Sequence, residues 1–356
     1  MRLVDLTQLN FRSLLTQRFE FPPGVVAVVG RNAAGKSNLL AAAYLACTGE
    51  VVGGRLARQV RLGEEEAYVA ATVEHAEGLS RIEVGLAPGR KVVKVDSQAA
   101  RVGDVARVVS AVLLTPEDAD LVHGPPASRR GYLDGLLAKL SPRYASMARE
   151  YGRVVEQRNA LLRAGESGAS LEVWSDRFVT LGTELSAVRD RAMLRLAPLA
   201  SAIYREVAGA AAEGGELRLS LRRSHEEGGL AEALAASARL ESLRGQTLVG
   251  PHRDDLYLEL GGVGLQEYGS RGEARTTALA LRAAEYRLLS EKHGEPPVLL
   301  IDDFTAELDA GRREYLLALA AATPQALVSG TEPPPRYDQL VELVRGRVHA
   351  TERCHA

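Results

Sequence analysis

The sequence predicts an α/β fold in which the two ends of the chain build one lobe and a mainly helical lobe is inserted between them. Three stretches carry this reading. Residues 25–29 (V-V-A-V-V) are a continuous apolar run, as a strand covered on both faces requires, and a Gly-rich turn and a helix-forming segment follow. Residues 298–301 (V-L-L-I) are a second such run and end in two acids, Asp302 and Asp303. Between them, from residue 116 to about residue 210, the apolar spacing is helical. The expected division is residues 1–115 with 245–356 in the α/β lobe and 116–244 in the inserted lobe.

In chain order, Leu3, Leu6 and Leu9, and then Phe19 and Phe21 around Glu20, read as strands. The breaker P-P-G at 22–24 leads into the valine run. Residues 30–37 read G-R-N-A-A-G-K-S and fit G-x-x-x-x-G-K-[ST], a phosphate-binding loop between a strand and a helix. Gly30 and Gly35 keep Cβ atoms away from a backbone that wraps an anion. The loop residues Arg31, Asn32, Ala33 and Ala34, with Asn38 just beyond, complete the candidate phosphate cradle. Lys36 supplies a point charge for the β and γ phosphates and Ser37 a hydroxyl for Mg²⁺. Only five of the 44 basic residues are lysines, so a Lys here marks a need for a compact ammonium.

Residues 64–114 alternate in short runs and read as antiparallel hairpins, with a turn at Asp96 and Ser97. Arg55, Arg58, Arg61, Arg90, Lys91 and Lys94 lie in or near this region, either as a solvated face or as nucleic-acid contacts. In the helical region Leu133, Leu136, Leu137 and Leu140 share one face. Ser141-Pro142 is a good helix start, and the next helix carries Tyr144, Met147, Tyr151, Val155 and Leu162 inward. After a break at 165–168, Leu171, Trp174, Phe178, Leu181, Leu185, Val188 and Ala192 step by three and four, which predicts an antiparallel helical hairpin. Residues 216–221 and 255–260 alternate as strands, 276–289 and 311–321 read as helices, and 326–328 as a short strand.

Composition sets bounds. With 46% hydrophobic and 25% charged residues in 356, the chain is an ordinary globular protein long enough for more than one lobe. A formal net charge of −2 means that any nucleic-acid binding must come from local patches. Two cysteines, Cys47 and Cys354, build no disulfide framework, and no apolar run reaches the length of a membrane span. The expectation is a cytoplasmic protein without a membrane partner.

The acids after the second buried run match a Walker B element. Asp302 would hold Mg²⁺ beside Ser37, and Asp303 would orient or deprotonate an attacking water. The long helical insertion between the two motifs points to an ABC-type ATPase. That class needs a signature that opens a helix and offers its N-terminus to the γ-phosphate of a partner subunit. Ser270, Arg271 and Gly272 fit, placed shortly before the second run. Residues 306–309 (A-E-L-D) match the D-loop, with Glu307 and Asp309 as its acids.

With these and further motifs the chain resembles the RecF family of DNA-repair ATPases over nearly its whole length. N-F-R at 10–12, P-E-D at 116–118, R-R-G-Y-L-D at 129–134, Q-R-N-A-L-L at 157–162 and G-P-H-R-D-D at 250–255 are similar to family motifs and occur in the same order. The resemblance implies ATP and Mg²⁺ as ligands, with Arg12 in the ATP set. It implies an ATP-driven homodimer that clamps duplex DNA at single-strand gap junctions, and a weak, DNA-stimulated ATPase whose hydrolysis releases the clamp. RecO and RecR would be partners in loading RecA during DNA repair and replication, in the DNA-damage (SOS) response. The 250–255 motif reads equally as a structural corner or a contact to nucleotide or DNA, and Arg129 and Arg130 read as partners of local acids. Ala33, Ala41, Glu273 and Ala306 depart from the family pattern. No Gln follows Leu114 and no His follows the 326–328 run, where Ser329 or Thr331 could substitute. The rival readings are the ATPase subunit of an ABC membrane transporter, against which the extra motifs speak, and an SMC-like DNA tether, whose arms would be far longer.

Overall fold

The computed structural model describes residues 1–209, 215–226, 229–304 and 309–353. It divides into two compact units: Met1–Asp118 with Arg205–Ala211 and Leu279–Ala356, and Ala119–Tyr204 with Ala212–Ala278.

The first unit opens with β1 (Arg2–Leu9), β2 (Gln17–Glu20), β3 (Gly24–Val29) and helix α1 (Lys36–Thr48). Then follow β4 (Ala67–His75), β5 (Gly78–Ala87), β6 (Arg90–Val95), β7 (Gln98–Ala100), α2 (Val102–Val108) and β8 (Ala111–Leu114). The second unit carries α3 (Asp120–His123), α4 (Pro126–Leu140), α5 (Pro142–Arg163) and most of α6 (Ala169–Ala208). It continues with β9 (Leu217–Arg222), α7 (Leu230–Arg244), β10 (Asp255–Leu260), β11 (Val263–Gly264), α8 (Leu265–Tyr268) and the start of α9 (Arg271–His293). The chain ends in the first unit with β12 (Val298–Ile301), α10 (Ala310–Ala321), β13 (Gln325–Gly330), β14 (Gln339–Val344) and β15 (Arg347–Arg353).

Two sheets organise the first unit. One is antiparallel, in the order β2-β1-β4-β5-β6-β7. The other runs β15-β14-β3-β13-β12-β8 and is parallel except for its edge strand β15. Helix α1 packs on strands of both sheets, which explains a helix with ten of thirteen residues buried and apolar side chains all round. Cys47 is sealed inside it, and burial pushes its thiol up to about 12, so it is inert.

The expected hairpins are present, and the turn at Asp96 and Ser97 has both residues left-handed, as a two-residue hairpin turn requires. The same stretch also holds α2, and its last run, β8, joins the parallel sheet instead of a hairpin. Lys91 is no simple surface charge: its ammonium donates to the Gly49 carbonyl at 2.6 Å.

The lobe boundary expected at residue 245 moves to 279. The cause is pairing: β10 zips to β9, with Asp255 opposite Arg222 and Leu260 opposite Leu217. The helical hairpin forms as α5 and α6, but the inward positions shift to Val154 in place of Val155, and past Val188 to Arg189 and Met193.

The interior of the second unit explains three of the motifs. Arg158 and Asn159, from Q-R-N, hold the irregular segment that enters the 250–255 corner. Arg158 pairs with the buried Glu241 at 2.7 Å and donates to Thr247 Oγ1 at 2.9 Å, while Asn159 Oδ1 accepts the Thr247 N–H at 2.7 Å. Arg189 binds Asp134 at 2.8 Å and the Pro251 carbonyl at 2.8 Å. Arg129 forms two 2.8 Å bonds to Asp255, and Arg130 donates to the Asp254 carbonyl at 2.7 Å. Gly250 sits at φ 112°, and a Cβ there would lie 2.6 Å from Phe178 Cζ, so no other residue fits without displacement. His252 hydrogen-bonds Tyr151 at 2.9 Å, and burial lowers its pKa to about 4. Residues 250–255 are thus a structural corner built around buried ion pairs.

Candidate nucleotide-binding site

The loop 30–37 is shaped by close approaches. A Cβ on Gly30 would lie 2.4 Å from the Leu343 carbonyl oxygen. The Gly346 N–H donates to the Ala34 carbonyl at 2.8 Å and fastens the loop from the β14–β15 turn. Gly35 is left-handed at φ 108° and starts α1 without a side-chain cap. The first-turn N–H groups of α1 have no helical partners, and the helix dipole makes that end positive. Lys36 is buried, and its ammonium donates to the carbonyls of Gly30 at 2.8 Å and Arg31 at 3.1 Å, which holds the charge over the loop. Arg31, Asn32, Ala33 and Ser37 are exposed around it. Ala33 is left-handed at φ 63°, a conformation that glycine adopts at lower cost.

Arg12 is anchored from three sides. Its guanidinium donates to Gln59 Oε1 at 2.8 Å, to Asn38 Oδ1 at 3.4 Å and to the Val52 carbonyl. Asn38 in turn donates to Ser13 Oγ at 2.6 Å. Arg12, Ser37, Ala41, Arg58, Thr115 and Asp302 are among the residues lining one cleft of about 550 Å³.

Asp302 follows β12 directly. Its Oδ1 accepts the Ser329 hydroxyl at 2.6 Å, and the same Ser329 Oγ accepts the Asp303 N–H at 2.9 Å. Burial raises the Asp302 pKa, hydrogen bonds from Ser329 and Ser37 oppose the shift, and the charges of Glu117 and Asp303 reinforce it. Ser329, one of the two residues the sequence offered in place of a His, lies within β13 and bonds both acids. Asp303 has φ 49°, a conformation Asp tolerates better than most residues. A serine hydroxyl and a carboxylate facing one cleft are the hard oxygen donors that Mg²⁺ takes together with phosphate oxygens, so the donor set fits that ion.

Ser270, Arg271 and Gly272 belong to the second unit and begin α9. Ser270 Oγ accepts the Glu273 N–H at 3.2 Å, and the Glu273 carboxylate accepts the Ser270 N–H at 2.7 Å, a reciprocal capping box. In the D-loop, Glu307 and Ala306 lie outside the described residues, while Asp309 caps α10 by accepting the Arg312 N–H at 2.9 Å. Thr115, Glu117 and Gln59 line the cleft although the sequence reading did not place them there, and Arg58 lies in the cleft wall. A signal was available for two of them: the buried run 111–114 ends in T-P-E just as the run 298–301 ends in D-D.

The family model for the RecF/RecN/SMC N-terminal domain matches residues 2–333. The DNA replication and repair protein RecF of Deinococcus radiodurans is 50% identical over 346 residues, covering 97% of this chain and 95% of that protein. The chain belongs to the RecF family. RecF of Chloroflexus aurantiacus is 39% identical, covering 87% of this chain and 88% of its own. A solved structure of the recombination mediator RecF with ATP, from the RecFOR pathway, superposes with a TM-score of 0.88 at 29% identity and covers 99% of this chain and 97% of that one. An Smc head from Pyrococcus furiosus shares the fold, with a TM-score of 0.55 at 16% identity. As a RecF family member the chain has the α/β architecture of the ABC-type ATPase heads. Among the described residues no helix is long and apolar enough to cross a membrane.

Proposed function

We propose that this chain is an ATP-gated DNA-binding repair protein. The reading rests on one observation above all: Ser37, in the uncapped first turn of α1, lines one cleft with Asp302 and Arg12, while the neighbouring Lys36 holds its ammonium over the loop 30–37. Lys36 and the first-turn N–H groups bind the β and γ phosphates, and Arg12 stays close to the nucleotide. A Mg²⁺ held by Ser37 and Asp302 would neutralise phosphate charge. Asp303 orients the water that attacks the γ-phosphorus, or takes its proton, and ADP leaves. Ser270, Arg271 and Gly272 of a second copy complete the site from the γ-phosphate side, so that ATP joins two subunits head to tail and slow hydrolysis parts them.

The closed dimer clamps duplex DNA at single-strand gap junctions, and DNA stimulates its ATPase. Exposed basic residues such as Arg90 and Lys94 on β6 are candidate phosphate contacts, which makes affinity salt-sensitive and sequence-blind. Family membership supports RecO and RecR as partners, assistance to RecA loading and a cytoplasmic location. The transporter reading has no support in the family match. The test is sedimentation with and without ATP, joined to DNA titrations at two salt concentrations. Dimers with ATP, lost in both Lys36→Ala and Ser270→Ala, and DNA binding that strengthens with ATP are expected. If both variants dimerise like the unmodified protein, the reading is wrong.

A further inference from the structure

The strands β8 and β12 run parallel in register, with Leu114 opposite Ile301, and the Asp302 N–H continues the ladder to the Leu114 carbonyl at 2.8 Å. The residues that leave the two strands therefore emerge side by side, Thr115 next to Asp302. The turn after β8 is rigidly fastened. Asp118 Oδ2 accepts the Thr115 N–H at 2.8 Å, and its Oδ1 accepts Arg282 at 2.7 and 3.1 Å. Arg282 also holds Glu285 at 2.9 Å. Two adjacent acids are thus treated oppositely: Asp118 is buried in an ion pair, while Glu117 is exposed and lines the cleft with Ser37, Thr115 and Asp302.

We propose that Glu117 is a positioning residue of the nucleotide site, accepting hydrogen bonds from the water shell of the divalent cation, with the Asp118–Arg282 pair as its anchor. The proposal rests on the reading of this cleft as the Mg²⁺–ATP site. The reason is charge. A carboxylate held toward a triphosphate repels it unless a cation lies between them. Glu117 should therefore oppose metal-free nucleotide and favour the metal complex, a reversal of sign that an uninvolved surface acid would not show.

The experiment is calorimetric titration of the full chain with ATP in Mg²⁺ and in EDTA. For Glu117→Gln, metal-free ATP should bind about 3-fold tighter and Mg²⁺–ATP about 3-fold weaker, shrinking the gain from Mg²⁺ on the order of 10-fold. Glu117→Asp should recover part of that gain. An unchanged Mg²⁺ gain, or equal weakening in both buffers, overturns the proposal. Failure of the underlying site reading looks different: the unmodified protein and Lys36→Ala would then bind ATP equally or not at all. Because Glu117 is exposed, its variants should keep the thermal midpoint of the unmodified chain.

Discussion

Two helices of this chain begin at the sequences proposed above to meet phosphate, and they begin in opposite ways. Helix α1 follows a left-handed Gly35 with no side-chain cap, so its first N–H groups point outward unclaimed by any side chain. Helix α9 follows Ser270, whose hydroxyl and whose partner Glu273 already occupy the turn, and a carboxylate lies at the positive end of the dipole. The first start is ready for phosphate. The second must exchange an internal cap for a phosphate from outside. Nucleotide binding by the P-loop should therefore be the strong, early event, and engagement of the signature the weak, conditional one. Glu273 sharpens the contrast, because a Gln at this position could cap equally but would bring no charge toward the γ-phosphate.

The largest expected effect tests the strong side. Lys36→Ala should weaken ATP binding by on the order of 100-fold, since it removes charge-assisted hydrogen bonds to phosphate, and calorimetry reads this directly. Ser270→Ala should leave binding to the monomer intact, and equal losses in the two variants would erase the contrast between the helices.

The next effect concerns the unit that carries the capped helix. His252 is held neutral by burial, with its pKa lowered to about 4. An unfolded chain takes up that proton near pH 6.5, so stability is complete above about pH 6.5 and declines as the pH falls toward 4. The total loss from this group is about 3 kcal/mol, of which about 2 kcal/mol falls between pH 7 and pH 5, visible in urea midpoints at those two values and reduced in His252→Asn.

A smaller effect tests the cap itself. Glu273→Gln should strengthen ATP-driven dimerisation by about 3- to 10-fold, as removal of one like charge near phosphate predicts, while Ser270→Ala costs the helix about 1 kcal/mol. Sedimentation at several protein concentrations distinguishes these. A Glu273→Gln dimer no tighter than the original would show that the carboxylate swings clear of the phosphate.

The smallest effect lies in the P-loop. Ala33 is exposed and left-handed, so Ala33→Gly should relieve strain and gain up to about 1 kcal/mol in thermal stability. Gly35→Ala should do the reverse, because its φ is 108° and a Cβ would press on Leu14 Cδ2 at 3.1 Å.

The sequence was most legible where function is local. Gly30, Lys36 and Ser37 sit within one turn, and Asp302 ends its own apolar run, so neighbours in sequence are neighbours in the site. Glu117 and Thr115 were not legible, because they reach the cleft through the pairing of β8 with β12 across more than half the chain. The Gln that would have advertised the position is absent. The motif at 250–255 was legible as a motif but not as a role. Only the packing of Gly250 on Phe178 and of Pro251 on Arg189 shows that it is a corner. The boundary at 279 was missed for a similar reason: β10 is paired to β9, a choice that alternation alone does not make.

Among the described residues, the strand that launches the P-loop pairs with β13 and β14, both from the last third of the chain. During synthesis β3 leaves the ribosome early and then waits, unpaired, for nearly three hundred further residues. The second unit, complete at residue 278, can close in the meantime. The nucleotide cleft is accordingly among the last parts of the molecule to form, and a chain cut short before β13 would carry an intact phosphate-binding motif that cannot bind.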